Sequence, residues 1–217
     1  MKQTLFSSLA KATLIGIVAL TVVCGLWTVD CMAQGQPRYR IDLAQSTVMW
    51  HGYYLFSFGE HYGAIDLKPA ELSFTNDQLR GTFEIDMNTL RTIDMKDEED
   101  GGKSFNDHLK NDDFFSVAKF PSAVFTIIST EKIKDATAGQ PNYEVTGNLT
   151  LKGATHSLKF PAEVSVNGKT LTAKARFKFD RTQWSVQYGS GKFFGDVGNN
   201  AISDAIGIEL NLKGNAL

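Results

Sequence analysis

Four histidines, His51, His61, His108 and His156, are the first residues to weigh as metal ligands or acid–base groups. No two of them are spaced as a ligand pair on one element, and neither HExxH, CxxC nor a facial-triad pattern occurs. They read as surface or hydrogen-bonded histidines. The acids Asp94, Asp97, Glu98, Glu99 and Asp100 offer the oxygen ligands calcium takes, but they miss the alternating positions and closing Glu of an EF-hand loop, so a solvated acidic loop is expected. The segment Gly189-Ser-Gly-Lys-Phe-Phe194 imitates a phosphate loop. Val186 stands where that pattern needs its first glycine, and Phe193 where it needs Ser or Thr. With no GxSxG elbow and no cysteine beyond Cys24 and Cys31, covalent hydrolase chemistry is not indicated. The expectation is no enzyme, no metal and no cofactor.

The elements that could position such groups begin after residue 33. Lys2 and Lys11 precede an apolar run from Ala12 to Val29 and a small-residue site, Cys31-Met32-Ala33, the pattern of a secretory signal peptide over residues 1–33. Cleavage after Ala33 would leave one domain, residues 34–217, in the periplasm or outside the cell. It would carry no cysteine and no apolar segment long enough to span a membrane. A retained anchor is the alternative. Removing Lys2, Lys11 and Asp30 leaves 20 basic against 23 acidic residues, and a slightly acidic domain is a poor nucleic-acid binder.

Within that domain the apolar residues alternate. Val48 and Trp50 share a face; Leu79, Gly81, Phe83 and Ile85 form another, as do Tyr143, Val145, Gly147, Leu149 and Leu151. Leu171, Ala173, Ala175, Phe177 and Phe179 repeat the pattern, and Ile206, Ile208, Leu210 and Leu212 close it. Turn signals at Asn76-Asp77, Lys152-Gly153 and Val166-Asn-Gly-Lys169 separate these runs, which predicts an antiparallel meander. Closing such a sheet into a barrel removes its exposed edges. One short helix interrupts it, with Ser104 as the expected N-cap, Asp107 completing a capping box, and Phe105 and Leu109 on one face. His61, in the turn Gly59–Gly63, and His108, on the helix, are the pair that a barrel mouth could bring together, the alternative to the plainer reading of surface or hydrogen-bonded histidines.

Several segments together resemble the YceI-like family of exported lipid-binding proteins. They are Ser46-Thr-Val-Met-Trp50-His-Gly52, Gly59-Glu-His61-Tyr-Gly63, His108-Leu-Lys-Asn-Asp-Asp-Phe-Phe115, Phe120-Pro121 through Phe125, Val145 through Thr155, and Phe179-Asp-Arg-Thr-Gln-Trp184-Ser-Val-Gln-Tyr188-Gly-Ser-Gly191. The resemblance covers Tyr39 to Leu212. It implies an all-β fold, an eight-stranded antiparallel lipocalin-like β-barrel with one short helix, holding a long-chain isoprenoid lipid of quinone or prenyl phosphate type, often as a homodimer. Trp50, Phe83, Phe125, Leu149, Phe177 and Leu210, each on an alternating apolar face, are the expected cavity residues. His61, His108 and Arg181 are candidates for a polar head group, Arg181 serving equally well as an ion-pair partner for a neighbouring strand. The competing readings are an enzyme acting on such a lipid, with His61 or His108 as acid or base, and a stress-related interaction module.

Overall fold

The computed structural model describes residues 36–194, 198 and 201–217; the expected signal peptide lies outside them. The strands are β1 (Arg38–Ile41), β2 (Thr47–Tyr54), β3 (Glu60–Leu67), β4 (Glu71–Thr75), β5 (Gln78–Thr92), β6 (Ser122–Lys132), β7 (Tyr143–Leu151), β8 (Ala154–Asn167), β9 (Thr170–Asp180) and β10 (Ile202–Ala216), with helix α1 (Lys103–Lys110) between β5 and β6. All pairings are antiparallel. β1 and β2 are two halves of one stave, because both pair with β10; β3 and β4 are likewise two halves that both pair with β5. Counted as staves the sheet has eight members, and it closes where the first meets the last, with Trp50 opposite Ile208 and Tyr39 opposite Ala216. Every strand then has two neighbours, which leaves no open edge.

The alternation places its residues as the period of two requires. Phe83 lies opposite Phe125, and Phe125 opposite Leu149, so one inward row crosses β5, β6 and β7. Phe177 of β9 faces Ile208 of β10 in the same way. The tight turns carry their geometry in sequence. Asn76 and Asp77 have φ of 52° and 60°, and Lys152 and Gly153 have 49° and 79°, the doubly positive pattern of a type I′ hairpin. The hairpin between β8 and β9 turns one residue later than the Asn-Gly pair suggests. Asn167 remains in the ladder opposite Thr170, and Gly168 takes the first central position with φ 58°, as a type II′ turn needs.

The start of α1 also differs from expectation. Lys103, not Ser104, opens the helix, and Gly102, at φ 76°, is its N-cap. The capping carboxylate is Asp100, whose two oxygens accept from the Gly102 and Ser104 amides at 2.9 Å each. Those hydrogen bonds hold the Asp100 carboxyl below its usual range, the Ser104 amide contributing most. Asp107 instead pairs with Lys103 one turn earlier.

An up-and-down barrel sends successive loops to alternate ends. Residues 55–59, the long connection 93–121 that contains α1, the turn at 152–153 and the loop after β9 share one end. The other end holds the turns at 76–77 and 168–169 and the connection 133–142. Two packed clusters follow from this. Leu72, Leu79, Tyr143, Val164 and Leu171 fill the end without the helix, while Trp50, Met87, Leu90, Phe114 and Trp184 cluster at the helical end with Leu109 of α1.

Candidate functional site

Between the two clusters runs a cavity of about 260 Å³. Its wall extends from Leu72, Leu79 and Leu212 at the filled end to Tyr54, His61 and Ile202 at the helical end. Such a volume spread along most of a barrel makes a narrow bore, whose shape fits a chain better than a compact ring system. Trp50, Phe83, Phe125, Leu149, Phe177 and Leu210 all line it. Phe160, which sequence alternation did not single out, stacks on Phe177 with ring centroids 4.0 Å apart and tilts against Phe125 at 5.7 Å. Phe105 and Leu109 of α1 complete the wall at the helical end, with Phe105 stacked on Trp50. The Trp50 indole N–H is satisfied away from the bore, donating to the Arg91 carbonyl at 3.2 Å.

The polar candidates separate. His61 lies on the cavity wall, its Nδ1 2.8 Å from Asp94 Oδ2 and its Nε2 3.3 Å from the Tyr54 hydroxyl, with Phe105 against the ring at 4.7 Å. Asp94 also accepts from the Thr92 hydroxyl at 2.5 Å and the Tyr62 amide at 3.1 Å. Burial pushes the Asp94 carboxyl up, but the Thr92, His61 and Tyr62 hydrogen bonds outweigh it and hold the group below its usual range. The acid that sequence reading placed in a solvated loop is therefore the anchor of a histidine.

His108 does not join this group. Its Nε2 is 3.1 Å from Asp113 Oδ2, its ring packs edge-on against Phe114 and Tyr188, and it is absent from the cavity wall. The alternative in which His61 and His108 meet across the mouth is not realised: α1 carries Phe105 toward His61 and turns His108 toward the loop after β9.

Arg181 lies on the cavity wall and commits its guanidinium to the backbone. Nη1 donates to the Val186 carbonyl at 2.7 Å, Nε to Ser203 at 3.0 Å and Nη2 to Ile202 at 3.3 Å. Only 2% of the residue is exposed. Among the described residues a carbonyl clamp stands in place of the ion pair weighed as one alternative, although Asp204 and Asp180 lie near enough to favour its charge. The glycine-rich segment after it takes no phosphate-loop form either; Lys192 is bound by Asp180 and Asp204 at 3.1 and 2.9 Å. No cluster of three or more metal-ligating side chains occurs among the described residues.

A closed up-and-down barrel with an apolar bore, capped at one end by a short helix, is the class of protein that this fold and site define. The family model described as YceI-like domain matches residues 39–214, and the chain belongs to that family. A UPF0312 protein of Photorhabdus laumondii is 29% identical over 159 residues, spanning 73% of this chain and 75% of that one. A UPF0312 protein of Pectobacterium atrosepticum is 43% identical over 61 residues, a stretch covering 28% of this chain and 29% of the relative's length. Among solved structures, Burkholderia cenocepacia BcnA superposes with a TM-score of 0.58 at 24% identity, covering 80% of this chain and 98% of that one. A polyisoprenoid binding domain from Saccharophagus degradans, implicated in plant cell wall breakdown, gives 0.57 at 17% identity, with 82% and 98% covered. Both share the barrel fold.

Proposed function

We propose that the protein is an exported carrier that holds the chain of a long isoprenoid lipid, of quinone or prenyl phosphate type, in its barrel. The observation that carries this reading is the continuous apolar bore, lined by aromatic and aliphatic side chains from both ends of the barrel. The polyisoprenoid-binding description of the Saccharophagus degradans domain supports the choice of lipid. Burial is worth about 0.8 kcal/mol per methylene, so each five-carbon unit adds about 4 kcal/mol before the costs of association are subtracted. Affinity would come from chain length and would tolerate variation in the tail.

The activity proposed is binding without chemical conversion, since the bore is lined by apolar side chains and the Arg181 guanidinium is committed to three backbone carbonyls. The leader would send the protein to the periplasm or beyond, and a homodimer is the expected assembly. Mass spectrometry of lipid extracted from natively purified protein tests the proposal. Stoichiometric long-chain isoprenoid is the expected result; an empty barrel after gentle purification would sink it.

A further inference from the structure

The bore is smaller than the lipid proposed for it. A cavity of about 150 Å³ holds one benzene, which allows about 25 Å³ per carbon. At that rate a bore of about 260 Å³ holds about ten carbons, two five-carbon units. The rest of a long chain has to lie outside, and one end of the barrel is shut. Leu72, Leu79 and Leu212 line the bore there and are themselves buried, and the Tyr143–Asp77 hydrogen bond ties a turn across it. The chain therefore leaves at the helical end. There the outermost wall pair of β2 and β10, Tyr54 opposite Ile202, runs directly into two loops. Residues 55–59 turn from β2 to β3, closed by the Tyr54 amide donating to the Gly59 carbonyl at 3.1 Å. The loop after β9 lies alongside. The Leu55 amide donates to the Ala201 carbonyl at 2.7 Å, and a Cβ on Gly191 would stand 3.8 Å from the Leu55 side chain. In that second loop the Phe193 and Phe194 amides both donate to the Ser190 carbonyl, at 3.1 and 3.0 Å.

The two loops turn apolar side chains to solvent. Leu55, Phe193 and Phe194 are each about half exposed, Phe56 is 68% exposed and Phe58 wholly so. Single exposed apolar residues such as Leu43, Ile128 and Val166, on separate parts of the chain, are ordinary; five on adjoining loops form a patch. Lys192, next to Phe193, is bound by Asp180 and Asp204, so its charge is balanced locally. We propose, resting on the carrier reading, that residues 55–59 and Phe193–Phe194 form an outer subsite for the same lipid. The bore takes the last two isoprene units of the tail, and this rim takes the units that follow. Its occupant is the part of a prenyl chain beyond ten carbons, because the rim continues the bore wall at the end where the surplus chain emerges.

The test measures the affinities of geraniol, farnesol and geranylgeraniol, prenyl alcohols of two, three and four isoprene units, for the delipidated full-length chain. The same set is measured on a triple variant, Phe56→Ser, Phe58→Ser and Phe193→Ser, whose substitutions all lie at exposed positions. A rim covers a chain on one side only, so each unit beyond geraniol raises parent affinity about ten-fold, against about a thousand-fold for full burial. The triple variant binds geraniol as the parent does and gains nothing from the longer alcohols. A thousand-fold step per unit, or a gain that persists in the variant, puts the added units inside the barrel and overturns the outer subsite while the carrier reading stands. If the variant keeps that gain but loses binding to phosphatidylcholine vesicles, or loses self-association in sedimentation, the rim serves a bilayer or a second copy, and the subsite is equally overturned. Geraniol binding lost in the variant alone overturns the division between bore and rim. A parent that binds none of the three alcohols overturns the carrier reading as well.

Discussion

Arg181 is the residue whose role is most unlike its charge. Buried and aimed at the carbonyls of Val186, Ser203 and Ile202, it joins the turn after β9 to the start of β10. Arg181→Ala strands those acceptors and should cost about 3 kcal/mol, read as a lowered midpoint in urea unfolding. Phe177 behaves differently, because it is half-buried and meets the cavity as well as Phe160. Phe177→Ser should cost about 2 kcal/mol of stability yet remove most co-purifying lipid, so the ratio of lipid to folded protein is the quantity to follow. An unchanged ratio would take Phe177 out of the site. Inward residues such as Phe83 and Leu149 could be read directly from alternation, since a strand decides the face of each residue by parity alone. Asp94 could not, because its partner lies more than thirty positions away and its neighbours in sequence are solvated acids.

At the scale of elements, close approach governs β3. A Cβ placed on Gly63 would lie 1.9 Å from the Arg91 carbonyl and 2.5 Å from the Trp50 ring, so both the β5 backbone and the indole would have to shift. Gly63→Ala should therefore displace Trp50 from the wall and destabilise by about 3 kcal/mol, with a shifted tryptophan emission maximum as the accompanying sign. Runs of alternation and paired turn residues make the meander legible in the sequence. The division of two staves was not: Asp42 to Ser46 and Lys68 to Ala70 interrupt pairing by local turns that leave the period on either side intact. The N-cap of α1 was misplaced for a related reason. Ser104 and Asp107 match a capping box in type, but Asp100 reaches the free amides first and Gly102 supplies the positive φ that turns the chain into the helix.

For the whole molecule, the end opposite the helix is secured by a tie across the barrel. Tyr143 of β7 donates to Asp77 in the turn between β4 and β5 at 2.7 Å, and Thr130 of β6 donates to the Asp77 carbonyl at 3.0 Å. Burial, with the Asp77 carboxylate as a second cause, pushes the Tyr143 hydroxyl from 10.0 up to about 12. A group whose pKa rises on folding stabilises fully below its unfolded value, so this contribution is present below about pH 10 and lost as pH climbs toward 12. Alkaline unfolding should steepen in that window, and Tyr143→Phe should flatten it; equal slopes for both proteins would refute the tie.

The seam between β2 and β10 joins positions as far apart as Thr47 and Asn211. A chain emerging from its amino end can pair each strand with the one before, yet its first stave waits for its last. Until β10 arrives there is a curled sheet with two live edges and no interior, so capacity for a ligand appears in a single late step instead of growing with length. The interior a ligand would occupy is therefore completed only when Asn211 comes to lie opposite Thr47.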